Sequence, residues 1–565
     1  MLIIVDKKGK ILYNNFCDTS LNIFLEVVMS KKSKTVELDA NGHPKFGMRD
    51  KLAYAAGDFG CNMSFALKNT VNTFWLVFMF MENNLLGWLV ILTQVWDAIN
   101  DPMLGSIIDR DTRKYRLGKF KTYILVGACG LLVAGALIFI PLPDSIRMSQ
   151  ETRNVVIKSL VFVAAYVIWD ACYTIANVPY GSMLSLVTSD KVEQAELSTW
   201  RSLGSAMGNV IAMVIPFIIW KDVVYDTSES YLSKIAIPKD LTVDDFRVNP
   251  FTKQPYQAGD TVLNPETGEN LQMLLGERVF WIALVMGVLG LIAFLFMIKN
   301  ITLRVDENSV QTNDNGEAIP KGNILKSFGT FFKNRAAVGA TIAAMGMFFG
   351  MQSASTANTI MFTIHFGNAQ LATVVMIVGF APMFLFMPFI KKIVSKYGKK
   401  EASVAGAITS CVGGLLMFLF PIVPEALSLP VLMISLVIFG LGMGIYTCVS
   451  WAMMGDAIDY HEWRFHKREE GTVYAIHSFF RKLAQGLGPA LVLFIMGMPF
   501  IGYDASRGIA QTAETAQNLC WLVAGLYFFS AICQFVGLAL VYNLDKKTVA
   551  VMQEQLAERH DAENN

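Results

Sequence analysis

The stretch from Trp96 to Lys121 reads WDAINDPMLGSIIDRDTRKYRLGKFK, and it decides the fold. Its first part continues an apolar segment, Leu85 to Ile108, that carries two carboxylates, Asp97 and Asp101, one helical turn apart. Its second part is a basic turn with Arg110, Arg113, Lys114, Arg116, Lys119 and Lys121. Because Lys and Arg collect on the cytoplasmic side of membrane helices, we predict a membrane helix whose basic end faces the cytoplasm.

The composition is that of a membrane protein. Of the 565 residues, 53% are hydrophobic and only 16% are charged, whereas soluble domains carry about 25% charged residues. Several apolar runs reach the ~20 residues that a membrane-spanning helix needs. The net charge of +1 argues against nucleic acid as a partner. We therefore predict an all-α polytopic membrane protein.

The apolar runs form two sets of six around a hydrophilic connector. The predicted spans are 52–81, 85–108, 121–141, 159–187, 199–220, 279–299, 337–364, 370–391, 402–422, 429–454, 472–499 and 517–543. The chain is thus divided into an N-terminal extension at 1–50, a six-helix bundle at 51–299 with a long loop at 221–278, a linker at 300–335, a second six-helix bundle at 336–543 and a tail at 544–565. We expect a monomer in the lipid bilayer of the inner cell membrane.

Loop charges give the orientation. The loops after the second, eighth and tenth spans are rich in Lys and Arg, whereas the loops on the other side are short and nearly free of them. Both termini are therefore expected in the cytoplasm, and the loop 221–278 outside, either as a small lid or as a solvated loop. The similar basic turns RLGKF and SKYGKKE indicate an internal repeat, as in secondary transporters that bind substrate between two repeats.

Polar residues inside the second span share one helix face. Gln94, Asp97, Asn100 and Asp101 lie three or four residues apart, which returns them to the same side. Charges inside a membrane are costly and are functional by default. Their oxygens suit sodium or a proton relay, with Asp97 and Asp101 as the carboxylates for sodium. The alternative is that these carboxylates only pair with basic residues of the bundle.

The first span also carries a polar arc, composed of Asp58, Asn62, Lys68, Asn69, Asn72 and Thr73. Such a face does not suit lipid. Lys68 is expected to be a counter-charge for Asp97 or Asp101, or a hydrogen-bond donor to an anionic or hydroxylated substrate. A purely structural ion pair is the alternative.

Three other spans supply further candidates. The fourth places Asp170, Tyr173, Thr174, Asn177 and Gly181 on one face, so Thr174 and Asn177 can offer neutral oxygens beside the aspartates. Arg201 opens the fifth span and can bind a sugar hydroxyl or a carboxylate, or serve as an ordinary interfacial Arg. His477 and Lys482 of the eleventh span can join the cavity, although a lone His is also a common structural residue.

The chain carries no pattern of a membrane enzyme. It has no HExxH, GxSxG or paired-His motif, and none of its eight cysteines forms a CxxC pair. We therefore expect no catalytic residues and no cofactor. A non-transporting sugar sensor is an alternative, but the tail 544–565 is too short for a signalling domain.

Five motifs resemble the glycoside-pentoside-hexuronide:cation symporter family, a branch of the major facilitator superfamily that includes the melibiose carrier. They are GDFGCN at 57–62, WDAINDPMLG at 96–105, the basic turn ending RLGKFK, YTIANVP at 173–179, and GDAIDYHEW at 455–463 followed by Lys482. The resemblance spans nearly all of 51–543. It implies a major facilitator fold and sodium- or proton-coupled sugar uptake by alternating access.

The resemblance also implies site residues. The family's cation site falls on Asp97, Asn100, Asp101 and Thr174, its sugar site on Asn62, Asn177 and Arg201, and its lysine of the eleventh helix on Lys482. Asn62 and Asn177 stand where the melibiose carrier has aspartates, and Gly181 where it has an aromatic residue. With Lys68 retained, these changes favour an anionic substrate such as a hexuronide. A lysolipid-type carrier is the alternative within the superfamily.

Overall fold

A computed structural model describes residues 44–111, 113–188, 190–232, 235, 237–238, 240–304, 324–382, 389–466 and 470–564, together with two short strands near the N-terminus. Most of the expected N-terminal extension and the centre of the expected linker lie outside these residues. In lipid, backbone polar groups must bond within their own segment, so the apolar runs form helices.

The described part of the chain contains eighteen α-helices. They are α1 Met48–Phe65, α2 Lys68–Thr73, α3 Asn83–Arg110, α4 Lys119–Leu137, α5 Asp144–Arg147, α6 Thr152–Val187, α7 Lys191–Ala212, α8 Ile215–Ile219, α9 Gly276–Asn300, α10 Ile324–Lys333, α11 Arg335–His365, α12 Ala369–Phe380, α13 Ile390–Tyr397, α14 Lys399–Leu416, α15 Glu425–Phe465, α16 Glu470–Met496, α17 Ala513–Phe535 and α18 Lys546–Asn564.

The strands are few and short. β1 (Ile4–Val5) pairs antiparallel with β2 (Ile11–Leu12), and β3 (Trp220–Asp222) pairs antiparallel with β4 (Gln272–Leu274), with Trp220 opposite Leu274. Two π-helical segments, Phe74–Phe78 and Val536–Val541, end the first and last membrane segments.

Nine helices in the described residues are long and apolar enough to cross a membrane. The more polar α1–α2 and α3 and the shorter apolar α12 accompany them, as expected for a polytopic helical membrane protein. α1, α3, α4, α6, α7 and α9 pack together as one bundle, and α11 to α17 as a second. Small residues let helices approach closely: a Cβ at Gly442 of α15 would lie 2.3 Å from the carbonyl oxygen of Gly406 on α14,.

The elements differ from the expected spans at several places. The first span is not one helix, because it breaks at Ala66 and Leu67, so that Lys68 begins α2. α15 continues to Phe465, past the expected end at 454, and carries HEWRF as helix. The expected linker ends in a helix, α10, whose buried Phe331 stacks on Phe480 of α16.

The two basic turns of the internal repeat share one backbone conformation. Gly118 (φ 86°, ψ 159°) precedes α4, and Gly398 (φ 102°, ψ 159°) precedes α14. Positive φ is readily adopted by Gly and costly for other residues. Each turn therefore requires its Gly, which explains why the pair RLGKF and SKYGKKE was recognisable as a repeat.

Residues 220–275 fold into a small unit, here called the cap. The β3–β4 pair closes it, and Phe246, Val262 and Tyr231 are buried inside it. It is inserted in the first bundle but also contacts the second: the Asn264 side-chain amide donates to the Gln511 carbonyl oxygen at 3.0 Å. Of the two expectations for this loop, the buried core agrees with a folded lid.

Candidate functional site

The two bundles meet along α3 and α16, which run antiparallel. Asn83 at the cap end of α3 donates to the Tyr503 carbonyl oxygen just beyond α16. Further along, Trp88 meets Phe494 edge-on at 5.3 Å, and a Cβ on Gly486 would collide with Gln94. The interface continues to an ion pair between Asp101 of α3 and Lys482 of α16.

Each carboxylate of the WDAIND motif has a lysine partner. Lys68 Nζ lies 3.9 Å from Asp97 Oδ2, and Lys482 pairs with Asp101. The Lys482 side chain is 46% exposed, whereas the Lys68 side chain is 18% exposed. Lys68 therefore belongs to the interior of the first bundle, while Lys482 connects the two bundles within reach of solvent.

A chain of hydrogen bonds joins Asp101 to α6. The Asn100 amide nitrogen donates to Asp170 Oδ2 at 3.0 Å and to Thr174 Oγ1 at 3.1 Å, and Thr174 donates to Asp101 Oδ1 at 2.8 Å. Asn100, Thr174 and Asp170 are almost completely buried. The structure thus joins Asn100, Asp101 and Thr174 in one hydrogen-bond network, while Asp97, one turn earlier on α3, contacts Lys68.

A second polar cluster connects α1 with α7. Arg201 Nε lies 2.9 Å from Asp58 Oδ1, and its guanidinium stacks over the Tyr180 ring at 5.1 Å. The Asn62 amide donates to Asp58 Oδ2 at 3.1 Å. The Asn177 side-chain oxygen accepts a hydrogen bond at 3.7 Å from the thiol of Cys61, the residue before Asn62. Asn62, Asn177 and Arg201 therefore share one region of the first bundle.

His477 has a different neighbourhood. Its Nδ1 lies 2.9 Å from Thr341 Oγ1, and its ring meets Trp451 at 6.0 Å. These contacts are all within the second bundle, and they correspond to the structural role considered from the sequence. No contact of His477 with Asp97 or Asp101 is seen among the described side chains.

The basic turn after α3 is ordered by Asp111. Its carboxylate accepts hydrogen bonds from the Tyr115 hydroxyl at 2.5 Å, the Tyr123 hydroxyl at 2.6 Å and the Arg113 amide at 3.0 Å. These hydrogen bonds, that from Tyr115 first, lower the pKa of Asp111 to about 2,. Asp111 therefore stays ionised beside the basic residues of the turn.

Sequence reasoning placed Asp58 and Asp170 on polar faces but not among the site residues. The structure makes Asp58 the ion-pair partner of Arg201 and Asp170 the acceptor of Asn100. The available signal for Asp170 was its position one turn before Thr174 on the same face. The side chain of Asn69, also on the polar arc, lies outside the described part of the chain.

Comparison with known proteins gives the family. The model of the family described as MFS/sugar transport protein matches residues 53–546. The chain belongs to this family. It is therefore a multi-pass secondary transporter and not an enzyme.

Individual relatives are distant but cover the whole transporter. The isoprimeverose transporter of Lactiplantibacillus pentosus is 25% identical over 91% of this chain and 92% of its own. The glucuronide carrier protein homolog of Escherichia coli (strain K12) is 24% identical over 90% of this chain and 95% of its own. The inward-open E. coli xylose transporter has the same fold, with a TM-score of 0.51 at 13% identity, over 90% of this chain and 99% of its own.

Proposed function

We propose that this transporter carries a glycoside, oligosaccharide or hexuronide into the cell together with one sodium ion or proton. The observation that carries the proposal is the Asp101–Lys482 pair, because it joins the candidate cation site of the first bundle to the second bundle. A cation that competes with Lys482 for Asp101 changes the contact between the bundles. Binding is thereby coupled to the rocking motion that alternating access requires.

The proposed cation site consists of oxygen ligands around α3. Asp97 and Asp101 supply negative charge, and Asn100 and Thr174 supply neutral oxygens. The spacing on the fourth span groups Asn177 with these ligands, but its contact with Cys61 favours the sugar region. Linkage requires that cation and sugar raise each other's affinity by the same factor.

The proposed sugar site lies beside the proposed cation site. Asn62, Asn177 and Arg201 share one region, and Lys68 and Lys482 reach the carboxylates next to it. Arg201 and Lys482 are partly exposed, so both can meet a ligand. A carboxylate on the sugar suits these cations, which favours a hexuronide. The name of the related glucuronide carrier protein homolog agrees with that class.

The remaining features complete the proposal. The cap lies outside the cell, the basic turns and both termini lie in the cytoplasm, and the protein acts as a monomer in the inner membrane. Residues 51–299 and residues 336–543 form the two bundles that move against each other.

Ligand-dependent thermal stabilisation of the purified protein tests this function. A panel containing isoprimeverose, methyl β-D-glucuronide and melibiose is run in sodium and in sodium-free buffer. A true ligand at 100 times its Kd stabilises the folded state by about 2.7 kcal/mol. We expect a shift with one sugar class that changes with sodium or with pH. Absence of a shift with every sugar, under all conditions, would contradict the proposed substrate class.

A further inference from the structure

The cap is firmly attached to the first bundle. β3 follows α8 directly, β4 leads into α9, and the two strands pair antiparallel over Trp220 to Asp222. At the base of this pair, the Leu275 amide donates to the Ile219 carbonyl oxygen at 2.8 Å. Two chain connections and a ladder of backbone hydrogen bonds therefore form a stem, and the cap moves with the first bundle.

The other side of the cap contacts the second bundle at the start of α12. Ala369 is the first residue of α12, so its amide has no acceptor within the helix. That amide donates to the side-chain oxygen of Gln272 in the cap at 2.6 Å, and the Gln272 nitrogen donates to Gln370 at 3.0 Å. The Gln370 nitrogen donates to the Trp220 carbonyl oxygen at 3.1 Å. The cap thus satisfies the N-terminus of a helix in the second bundle.

A second contact lies at the turn between α16 and α17. The Arg507 side chain of this turn is 13% exposed, and its guanidinium binds two carboxylates of the cap, Asp240 at 2.8 Å and Glu266 at 2.9 Å. Beside it, the buried Asn264 of the cap donates to the Gln511 carbonyl oxygen. The cap is therefore held to the second bundle at two separate places. We call these two contacts the latch.

The latch and the stem differ in chemistry. The latch contacts named above are hydrogen bonds and ion pairs between side chains or with a single backbone group, and such groups can be hydrated again when they separate. The stem is a backbone ladder, in which the buried Val223 donates its amide to the carbonyl oxygen of the buried Leu271. Interfaces that move within a chain are more polar than permanent ones. The latch is therefore the attachment that can open.

We propose that the cap is the outer gate of this transporter, and that the latch, with Arg507 at its centre, opens once in each transport cycle. This inference rests on the proposed function, which places the cap outside the cell and makes the two bundles rock against each other. Rocking that opens the site to the outside separates the bundles on the cap side, so one of the cap's two attachments must break. The latch breaks, and the stem stays intact.

Hydrogen exchange resolved to single amides tests the gate without any sugar or coupling ion. The reporter is the Ala369 amide, because its acceptor belongs to the cap while Arg507 binds the cap at the other contact. In the full-length protein, Arg507→Ala should speed exchange of this amide by about 5-fold or more, because loss of two ion pairs favours the released cap. A merely local role of Arg507 predicts an unchanged rate at Ala369, and that result would overturn the proposal.

Arg247→Ala is the matched control. Arg247 also binds two carboxylates, Glu229 at 2.7 Å and Asp244 at 2.6 Å, but both of them lie within the cap. This variant should leave exchange at Ala369 close to the wild-type rate. Equal acceleration by Arg247→Ala and Arg507→Ala would show a general loosening of the cap and would overturn the latch.

A second variant covers the case in which Arg507→Ala does not fold. Asp240→Asn/Glu266→Gln removes the same two ion pairs from the cap side. It should speed exchange at Ala369 as much as Arg507→Ala is expected to do. Wild-type protection at Ala369 in this double variant would contradict the proposal.

A reversible cross-link adds a transport readout. Purified Glu266→Cys/Arg507→Cys is bridged by a short bis-methanethiosulfonate and reconstituted in proteoliposomes, with isoprimeverose and methyl β-D-glucuronide as probes. The bridged protein should lose uptake, and a reductant should restore it; wild type treated with the same reagent controls for the native cysteines. Full uptake by the bridged protein would overturn the gate. If the wild type transports neither probe, the sugar assignment fails, while exchange at Ala369 still decides the gate.

Discussion

At the scale of single residues, the protein places charges in its interior mainly as pairs. Asp58 is 6% exposed and is held by Arg201, which also stacks on Tyr180. Removing one partner of a buried pair leaves an uncompensated charge, which is more costly than removing both. The Asp58–Arg201 pair is therefore expected to matter for stability as well as for sugar binding.

We expect Arg201→Ala to destabilise the protein by about 2 kcal/mol, less than for a fully buried pair because Arg201 is partly exposed. The double variant Asp58→Asn/Arg201→Ala should recover part of this loss, since no charge then remains buried. Chemical denaturation of the purified variants measures both values. A double variant that is less stable than Arg201→Ala would contradict the assigned pairing.

The sequence predicts the placement of residues where helix geometry decides it. The spacing of Asp97, Asn100 and Asp101 fixes their common face, and the lysine of the polar arc does meet Asp97. The sequence could not predict the partner of His477, because Thr341 lies on another helix and contacts His477 only through tertiary packing. The same holds for the hydrogen bond between Asp170 and Asn100, which lie on different helices.

At the scale of elements, the contact between the cap and α15 depends on pH. Burial and a hydrogen bond with Glu425 of α15 raise the pKa of Glu269 from its usual 4.5 to about 7,. The protonated carboxyl is therefore favoured in the folded cap. This stabilisation is fully present below about pH 4.5, and it is lost as the pH rises through about 7,.

Glu269→Gln should remove this dependence, because its amide stays neutral at every pH. We expect the Tm of the wild type to fall by about 2 °C more than that of the variant between pH 5 and pH 8. Glu266→Gln is the control: it removes an ion pair between the cap and Arg507 and should lower Tm at both pH values. Parallel pH profiles of Glu269→Gln and the wild type would refute the assignment.

Element boundaries show what sequence patterns can and cannot give. The Gly residues of the two basic turns were visible as a repeat, because positive φ restricts the residue type,. The break before Lys68 and the extension of α15 to Phe465 carry no Pro and no turn motif, so they depend on packing against other helices. The cap's buried core also forms only when distant residues of the loop meet.

At the scale of the whole molecule, the cap-side contacts between α3 and α16 must separate if the site opens to the outside. Asn83 and Gly497 form one such contact: a Cβ on Gly497 would lie 3.3 Å from the Cβ of Asn83. This is close to the Cβ separation of ~3.5–4.5 Å in disulfides. The pair therefore offers a way to lock this side shut.

We expect the double variant Asn83→Cys/Gly497→Cys to form a disulfide under oxidation and to lose sugar uptake, and a reductant to restore it. Mobility on a non-reducing gel measures cross-linking, and uptake into proteoliposomes measures the arrest. Each single Cys variant is the control and should be insensitive to oxidation. Full uptake by the cross-linked protein would show that these helix ends do not move apart.

Gradient-driven accumulation tests the central claim, that ion binding at the Asp101–Lys482 interface drives sugar transport. Purified protein in proteoliposomes is given isoprimeverose or methyl β-D-glucuronide under an inward proton or sodium gradient. The wild type should concentrate one sugar above equilibrium. Asp101→Asn should reduce that accumulation by about 5- to 150-fold, the range of typical coupling energies, while retaining its fold. Equal accumulation by Asp101→Asn, or a wild type that only equilibrates both sugars in every gradient, would contradict the account.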